Sequence, residues 1–144
     1  MERKVLTFFY GSYMNVDVLR EVNLVPETWE VARLSGFDID IRPRANLVRS
    51  DRYAVYGVVA PVSHPELARL YAHAHDVLGE SYLPEAVIVE VDGSFRPALC
   101  YIATSMVPRP AADDYVDRVV RPARRFGFPA WYVDRLETFR GDAR

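Results

Sequence analysis

A chain of 144 residues, half of them hydrophobic, is long enough to bury one core of ordinary size. Its net charge of −2 and isoelectric point near 5.9 argue against the concentrated basic face that neutralises nucleic-acid phosphates. Cys100 is the only cysteine, so neither an internal disulfide nor a cysteine metal cluster can form. Seventeen arginines against the single Lys4 reflect genome composition more than chemistry.

In chain order, Lys4 to Tyr10 reads as a short apolar strand, KVLTFFY, which runs straight into Gly11-Ser12 and then into a helical pattern from about Met14 to Val22. Strand, tight turn and helix start in so few residues leave backbone N–H groups without partners and aimed at one spot, an arrangement that suits an anion. The opening MERKVLTFFYGSYMN has too short an apolar segment for a signal peptide, and no run approaches the roughly 18 apolar residues of a membrane span, so the expected setting is the cytoplasm, away from membranes. Strands follow at Trp29–Ile41, ending in the strictly alternating FDIDI, and at Arg52–Val62. Ser63 with Glu66 three residues on forms a capping box, and Pro65 sits in the first turn of a helix that stops near Gly79. PEAVIVEVDGSFRPALCYIAT reads as two strands joined at Asp92-Gly93, a strong hairpin signal. Helices over Asp113–Phe126 and Ala130–Phe139 are separated by Gly127-Phe128-Pro129. No linker interrupts residues 1–144, so the expectation is a single α+β domain: a small mixed β-sheet curled toward a barrel, with helices flanking it.

YGSYM, Tyr10 to Met14, resembles the YGSNM signature of the gamma-glutamyl cyclotransferase-like (AIG2-like) family. VARLSGF is similar to that family's second strand, and RANLVRSDRYAVYGVVAPV to its central segment, where an Asn-Leu pair precedes a VYGVV strand. YVDRVVRPARRFGFPAWYVDRL resembles its C-terminal pattern of a Tyr, a helix, Gly-Leu-Pro and a further Tyr and Leu. What the resemblance implies is a reaction on a small γ-glutamyl substrate: the glutamyl α-amine turns onto its own γ-carbonyl, releasing an amine or amino acid and 5-oxoproline. No cofactor or metal is called for, because the nucleophile belongs to the substrate and ring closure is cheap once the chain is held bent. The protein must grip the α-carboxylate, stabilise charge on the γ-carbonyl oxygen and carry a proton from the ammonium to the leaving nitrogen. The loop of Tyr10, Gly11, Ser12, Tyr13 and Met14 is the candidate cradle, Gly11 admitting close approach and Ser12 adding a hydroxyl or a helix cap. An ordinary turn is the plainer reading of Gly11 and Ser12.

The proton carrier departs from the pattern. The family's carboxylate lies four residues after a Leu, whereas the fourth residue after Leu70 is Ala74. Counting back from Tyr82, which resembles the tyrosine opening the family's next strand, brings Asp76 and Glu80 near the same place. Glu80, in a loop after Gly79, is the first choice as general acid/base and Asp76 the second; if both are mere surface carboxylates, the chain is a non-catalytic carboxylate-binding module. Asn46, of the Asn-Leu pair, lines the cavity or fixes a turn; Tyr101 holds the carboxylate or is a core aromatic.

His73 and His75, two apart on a regular helix, point to different sides and cannot share a metal, so they read as solvent-facing or core-edge residues, His75 beside Asp76 being a reserve base. Arg42 and Arg44 can share one side of a strand end, where one guanidinium would meet a substrate carboxylate; a solvated edge is the commoner fate. Arg118, Arg121 and Arg125 recur at helical spacing, interrupted by Pro122, and read as a solvated face.

Overall fold

A computed structural model describes residues 3–140. Five strands, β1 (Lys4–Phe9), β2 (Glu30–Ile41), β3 (Ala45–Ser63), β4 (Leu83–Val91) and β5 (Ser94–Ile102), close into a barrel in the order β1-β3-β2-β4-β5. Helices α1 (Val16–Glu21), α2 (His64–His73), α3 (Asp113–Arg125) and α4 (Ala130–Glu137) surround it. The α+β class and the curl of the mixed sheet are those the hydrophobic pattern calls for. Among the described residues no helix is long and apolar enough to cross a membrane.

β1 lies antiparallel to β3, Phe9 opposite Val58, and parallel to β5, Thr7 opposite Leu99. Its last three residues are fully buried, which is why the strand reads as an unbroken apolar run rather than an alternation. β4 and β5 turn at Asp92-Gly93, both with positive φ (49° and 78°), the geometry of the tight hairpin turn that this dipeptide favours.

The β2–β3 hairpin is longer than the sequence pattern suggests, because β3 begins at Ala45 and not at Arg52. Ser35 pairs with Ala54, but Phe37 pairs with Arg49: β2 takes up Gly36 alone (φ 88°) while β3 takes up Ser50 to Tyr53. This bulge breaks the polar-apolar alternation that would have marked β3 as one strand. The distal half of the hairpin leans on α4, where the Arg135 guanidinium pairs with the Asp38 carboxylate, and its tip carries Arg42, Pro43 and Arg44.

Two further expectations are corrected. The chain after Gly11 makes a single 3-10 turn, Ser12–Met14, before α1, because the Asn15 side chain accepts from the Asp17 amide at 2.9 Å and so starts the helix later than Met14. Pro122 does not interrupt α3: the carbonyl it leaves without a helical donor, that of Arg118, receives the Asn15 side-chain amide at 3.4 Å. Arg118, Arg121 and Arg125 are exposed.

Ser63 caps α2 as its sequence requires: the Ser63 amide donates to the Glu66 carboxylate at 2.8 Å, and the Glu66 amide to the Ser63 hydroxyl at 3.3 Å. Past His73 the helix widens into one π turn, Ala74–Leu78, and ends at Gly79 in the left-handed conformation (φ 75°).

Candidate functional site

Every residue from Tyr10 to Met14 is buried. Gly11 has a φ of −121°, open to any residue, so its lack of a side chain answers to space. A Cβ there would stand 2.5 Å from the Ala45 Cβ and 3.7 Å from the Tyr115 hydroxyl. The close approach at Gly11 is therefore to β3 and α3 of the protein itself.

Ala45 is held through both of its backbone polar groups. Its amide donates to the Tyr115 hydroxyl at 2.9 Å, and its carbonyl accepts from the Tyr82 hydroxyl at 2.5 Å. The Ser12 hydroxyl and amide bear on the same Tyr115 oxygen and, with the Ala45 amide and Arg44, offset part of the upward push that burial gives that phenol. Tyr115 thus occupies the ground over Ser12 that the sequence assigns to a ligand.

Next to this clamp, the Arg44 guanidinium lies over the Tyr115 ring, 4.9 Å from its centroid. Arg44 is half-buried, its Nε is enclosed without a hydrogen-bond partner, and among the described residues it has no carboxylate within ion-pair reach. Arg42 behaves otherwise: exposed, it pairs with Asp40 at 2.8 Å. Burial raises the phenols of Tyr13 and Tyr82, and the Arg44 charge draws both back down.

The Tyr13 hydroxyl meets His73 Nδ1 at 2.9 Å, and His73 Nε2 meets Glu21 Oε1 at 2.9 Å. A carboxylate only accepts, so Nε2 carries a proton, and a neutral ring then accepts at Nδ1 from the Tyr13 hydroxyl. His73, its side chain 8% exposed, is thereby an enclosed link between the loop and α1. Tyr10 donates to the Tyr101 carbonyl at 2.7 Å, and its ring stacks on that of Tyr101 at 4.9 Å. Tyr13 and Tyr82 meet the Tyr101 ring edge-on, at 6.3 and 5.4 Å. The Tyr101 hydroxyl is buried with no hydrogen-bond partner among the described residues and is held well above the ordinary phenol range by that burial.

Glu80 is 7% exposed. The π turn and Gly79 fold the chain back so that the Glu80 amide donates to the Ala74 carbonyl at 3.0 Å. The backbone of Glu80, six residues downstream in sequence, thus comes back to Ala74, the residue where the resemblance asks for a carboxylate. Its side chain has no hydrogen-bond or ionic partner among the described residues and opens on a cavity of about 370 Å³ lined by Gly79, Ser105, Val107 and Arg109. Its charge adds to the rise of the Tyr82 phenol. Asp76 is carried out to solvent, 74% exposed, and pairs with His75 at 3.1 Å. Asn46 clamps the end of β5, donating to the Ala103 carbonyl at 2.8 Å and accepting from the Ala103 amide at 3.0 Å. Among the described residues no three His, Cys, Asp or Glu side chains stand together to hold a metal.

The structure thus gathers Tyr10, Tyr13, Tyr82 and Tyr101 around one spot, leaves Asp76 outside, and gives Gly11, Ser12, Met14 and Asn46 packing or clamping positions. It adds Tyr115, the Tyr that opens the matched YVDRVV segment, as well as Arg44 and His73, whose sequence surroundings suggested edges.

The same chain path recurs in solved structures. A gamma-glutamyl cyclotransferase superposes with a TM-score of 0.79 at 22% identity, over 98% of this chain and 90% of its own. The fold is that of the gamma-glutamyl cyclotransferases. An uncharacterized protein from Homo sapiens shares it with a TM-score of 0.81 and 22% identity, over 99% of this chain and 92% of that one. So does the yeast gamma-glutamyl cyclotransferase specific to glutathione, at 0.65 and 12%, over 99% and 97%. No protein-family model and no curated protein matches the sequence. Within the gamma-glutamyl cyclotransferase fold of this chain, the Tyr10–Met14 corner is where β1, the β2–β3 hairpin tip and α3 converge.

Proposed function

We propose that the chain cyclises a γ-glutamyl amine or γ-glutamyl amino acid to 5-oxoproline. The α-ammonium gives up one proton to water and becomes the nucleophilic amine; its nitrogen bonds to the γ-carbonyl carbon, the amide C–N bond to the leaving group breaks, and the second proton lost from that nitrogen ends on the leaving nitrogen. Glu80 takes that proton and returns it, while the hydroxyls around Tyr101 and the Tyr10–Met14 corner hold the glutamyl part bent. The reading needs no cofactor, since substrate supplies both nucleophile and electrophile. The observation that carries it is Glu80 itself: an enclosed carboxylate without a partner among the described residues, acting on Tyr82, with its backbone returned to Ala74, in a fold shared with gamma-glutamyl cyclotransferases.

Glu80→Gln keeps the shape and removes the proton chemistry. Release of 5-oxoproline from a panel of γ-glutamyl amines and amino acids, measured by chromatography, is expected to fall about 10²-fold or more with ligand binding retained. Asp76→Asn, at an exposed position, is expected to leave turnover intact. A second reading, a carboxylate-binding module without catalysis, draws on Ala74, which stands where the resemblance asks for the catalytic carboxylate. Wild-type protein that binds 5-oxoproline yet releases none from any of the panel would establish that module in place of the enzyme.

A further inference from the structure

We infer that Arg44 is the carboxylate anchor of this site, taking the glutamyl α-carboxylate that 5-oxoproline retains; the inference rests on the cyclotransferase reading and names its specificity residue. A half-buried guanidinium without a counter-charge is an unusual thing for a folded chain to keep, because the charge loses hydration and gains no ion pair. Arg42, two residues earlier and on the same hairpin tip, satisfies itself on Asp40 at the surface. Arg44 instead turns inward over the Tyr115 ring, with its Nε enclosed and, among the described residues, unbonded and without a carboxylate in ion-pair reach.

Its position is fixed by its neighbours. The following residue, Ala45, is tied through its amide to Tyr115 and through its carbonyl to Tyr82, and packs its Cβ into the space left by Gly11. The guanidinium lies over the Tyr115 face, and its N–H groups make no hydrogen bond among the described residues; that leaves an edge for a planar acceptor, and a carboxylate matches such an edge with two parallel hydrogen bonds. The phenols of Tyr13, Tyr82 and Tyr115 all feel the Arg44 charge, so a ligand on that edge lies among the same hydroxyls that ring the candidate site. The glutamyl α-carboxylate is the one anionic group common to every γ-glutamyl compound, whereas the leaving group varies. An anchor built into the packed corner of the fold suits the part of the substrate that does not change.

The test compares 5-oxoproline with pyrrolidin-2-one, the same ring without the carboxylate, binding to full-length protein by calorimetry. Wild type is expected to prefer 5-oxoproline by about 10- to 100-fold, and Arg44→Gln to abolish the preference while binding pyrrolidin-2-one as before. Arg44→Lys, a point charge without the fork, is expected to fall between them and tests the inference even where the Gln variant does not fold. A preference kept at its wild-type value in either variant would overturn the anchor and leave the cyclotransferase reading standing. So would loss of both ligands from an Arg44→Gln protein whose near-ultraviolet circular dichroism is unchanged, since that assigns Arg44 to architecture. If wild type binds neither ring and releases no 5-oxoproline from γ-glutamyl compounds, the cyclotransferase reading fails and the inference falls with it.

Discussion

At Gly11 the demand for glycine comes from the neighbouring chain. With an ordinary φ and an Ala45 Cβ where its own would go, Gly11 is one half of a fitted pair. Gly11→Ala is expected to cost about 1–3 kcal/mol through overpacking, measured as a lower urea midpoint with an unchanged slope. Ala45→Gly in the same chain is expected to recover a large part of that loss, which a ligand-cradle role for Gly11 would not produce. The YGS triplet was legible as a special corner, but its partners were not: Ala45 and Tyr115 lie 34 and 104 residues further along the chain, and no local pattern links them to it. Arg42 and Arg44 show the same limit. They are one residue type two positions apart, and only the tertiary setting makes one a surface ion pair and the other a half-buried cation.

Where local chemistry sets an element, the sequence spoke clearly. The Ser63-Glu66 capping box, the Asp92-Gly93 turn and the stops at Gly79 and Gly127 all act within a few residues and are found where the pattern puts them. Elements whose limits depend on distant groups were harder to read. α3 continues through Pro122 because Asn15, from the far end of the chain, attends to the Arg118 carbonyl, and β3 extends past its bulge because β2 pairs with it on both sides. The end of α2 shows how an element boundary bears on the site. Gly79 takes a left-handed conformation that a Cβ disfavours, although nothing stands within 4 Å of where that Cβ would be. Gly79→Ala is therefore expected to cost about 1–2 kcal/mol from backbone conformation alone. Because the π turn and Gly79 bring the Glu80 backbone back to Ala74 and so set where its side chain starts, the same variant is expected to lose 5-oxoproline release beyond what its thermal midpoint accounts for. Full activity in that variant, with the predicted loss of stability, would separate Glu80 from the reaction.

Taken whole, the molecule is a barrel with a phenol-rich interior. Burial holds Tyr10, Tyr13, Tyr82, Tyr101 and Tyr115 above the ordinary phenol value and pushes the Cys100 thiol up to about 12. In the unfolded chain these groups release their protons from about pH 8.5 to 10, and in the folded one only at higher pH. Their stabilising contribution is thus complete below that range and is lost as pH rises through the folded values. The urea midpoint is expected to decline steadily above about pH 9, with phenolate absorbance growing together with the loss of structure; phenolate from these five residues in a protein whose fold persists would contradict it. The barrel's closure has a different consequence, one of timing. β1 reaches its parallel neighbour β5 at Thr7 and Leu99, 92 residues apart, and β2 meets β4 through Arg33 and Glu90. As the chain leaves the ribosome, the Tyr10–Met14 corner and the β2–β3 hairpin are available long before the segment bearing Glu80, Tyr82 and Tyr101. Pairings so distant in sequence form slowly. Arg44 and the Tyr10–Met14 corner are therefore made well before Glu80, Tyr82, Tyr101 and Tyr115, and the residues gathered around Tyr101 come together only after the last strand has shut the ring.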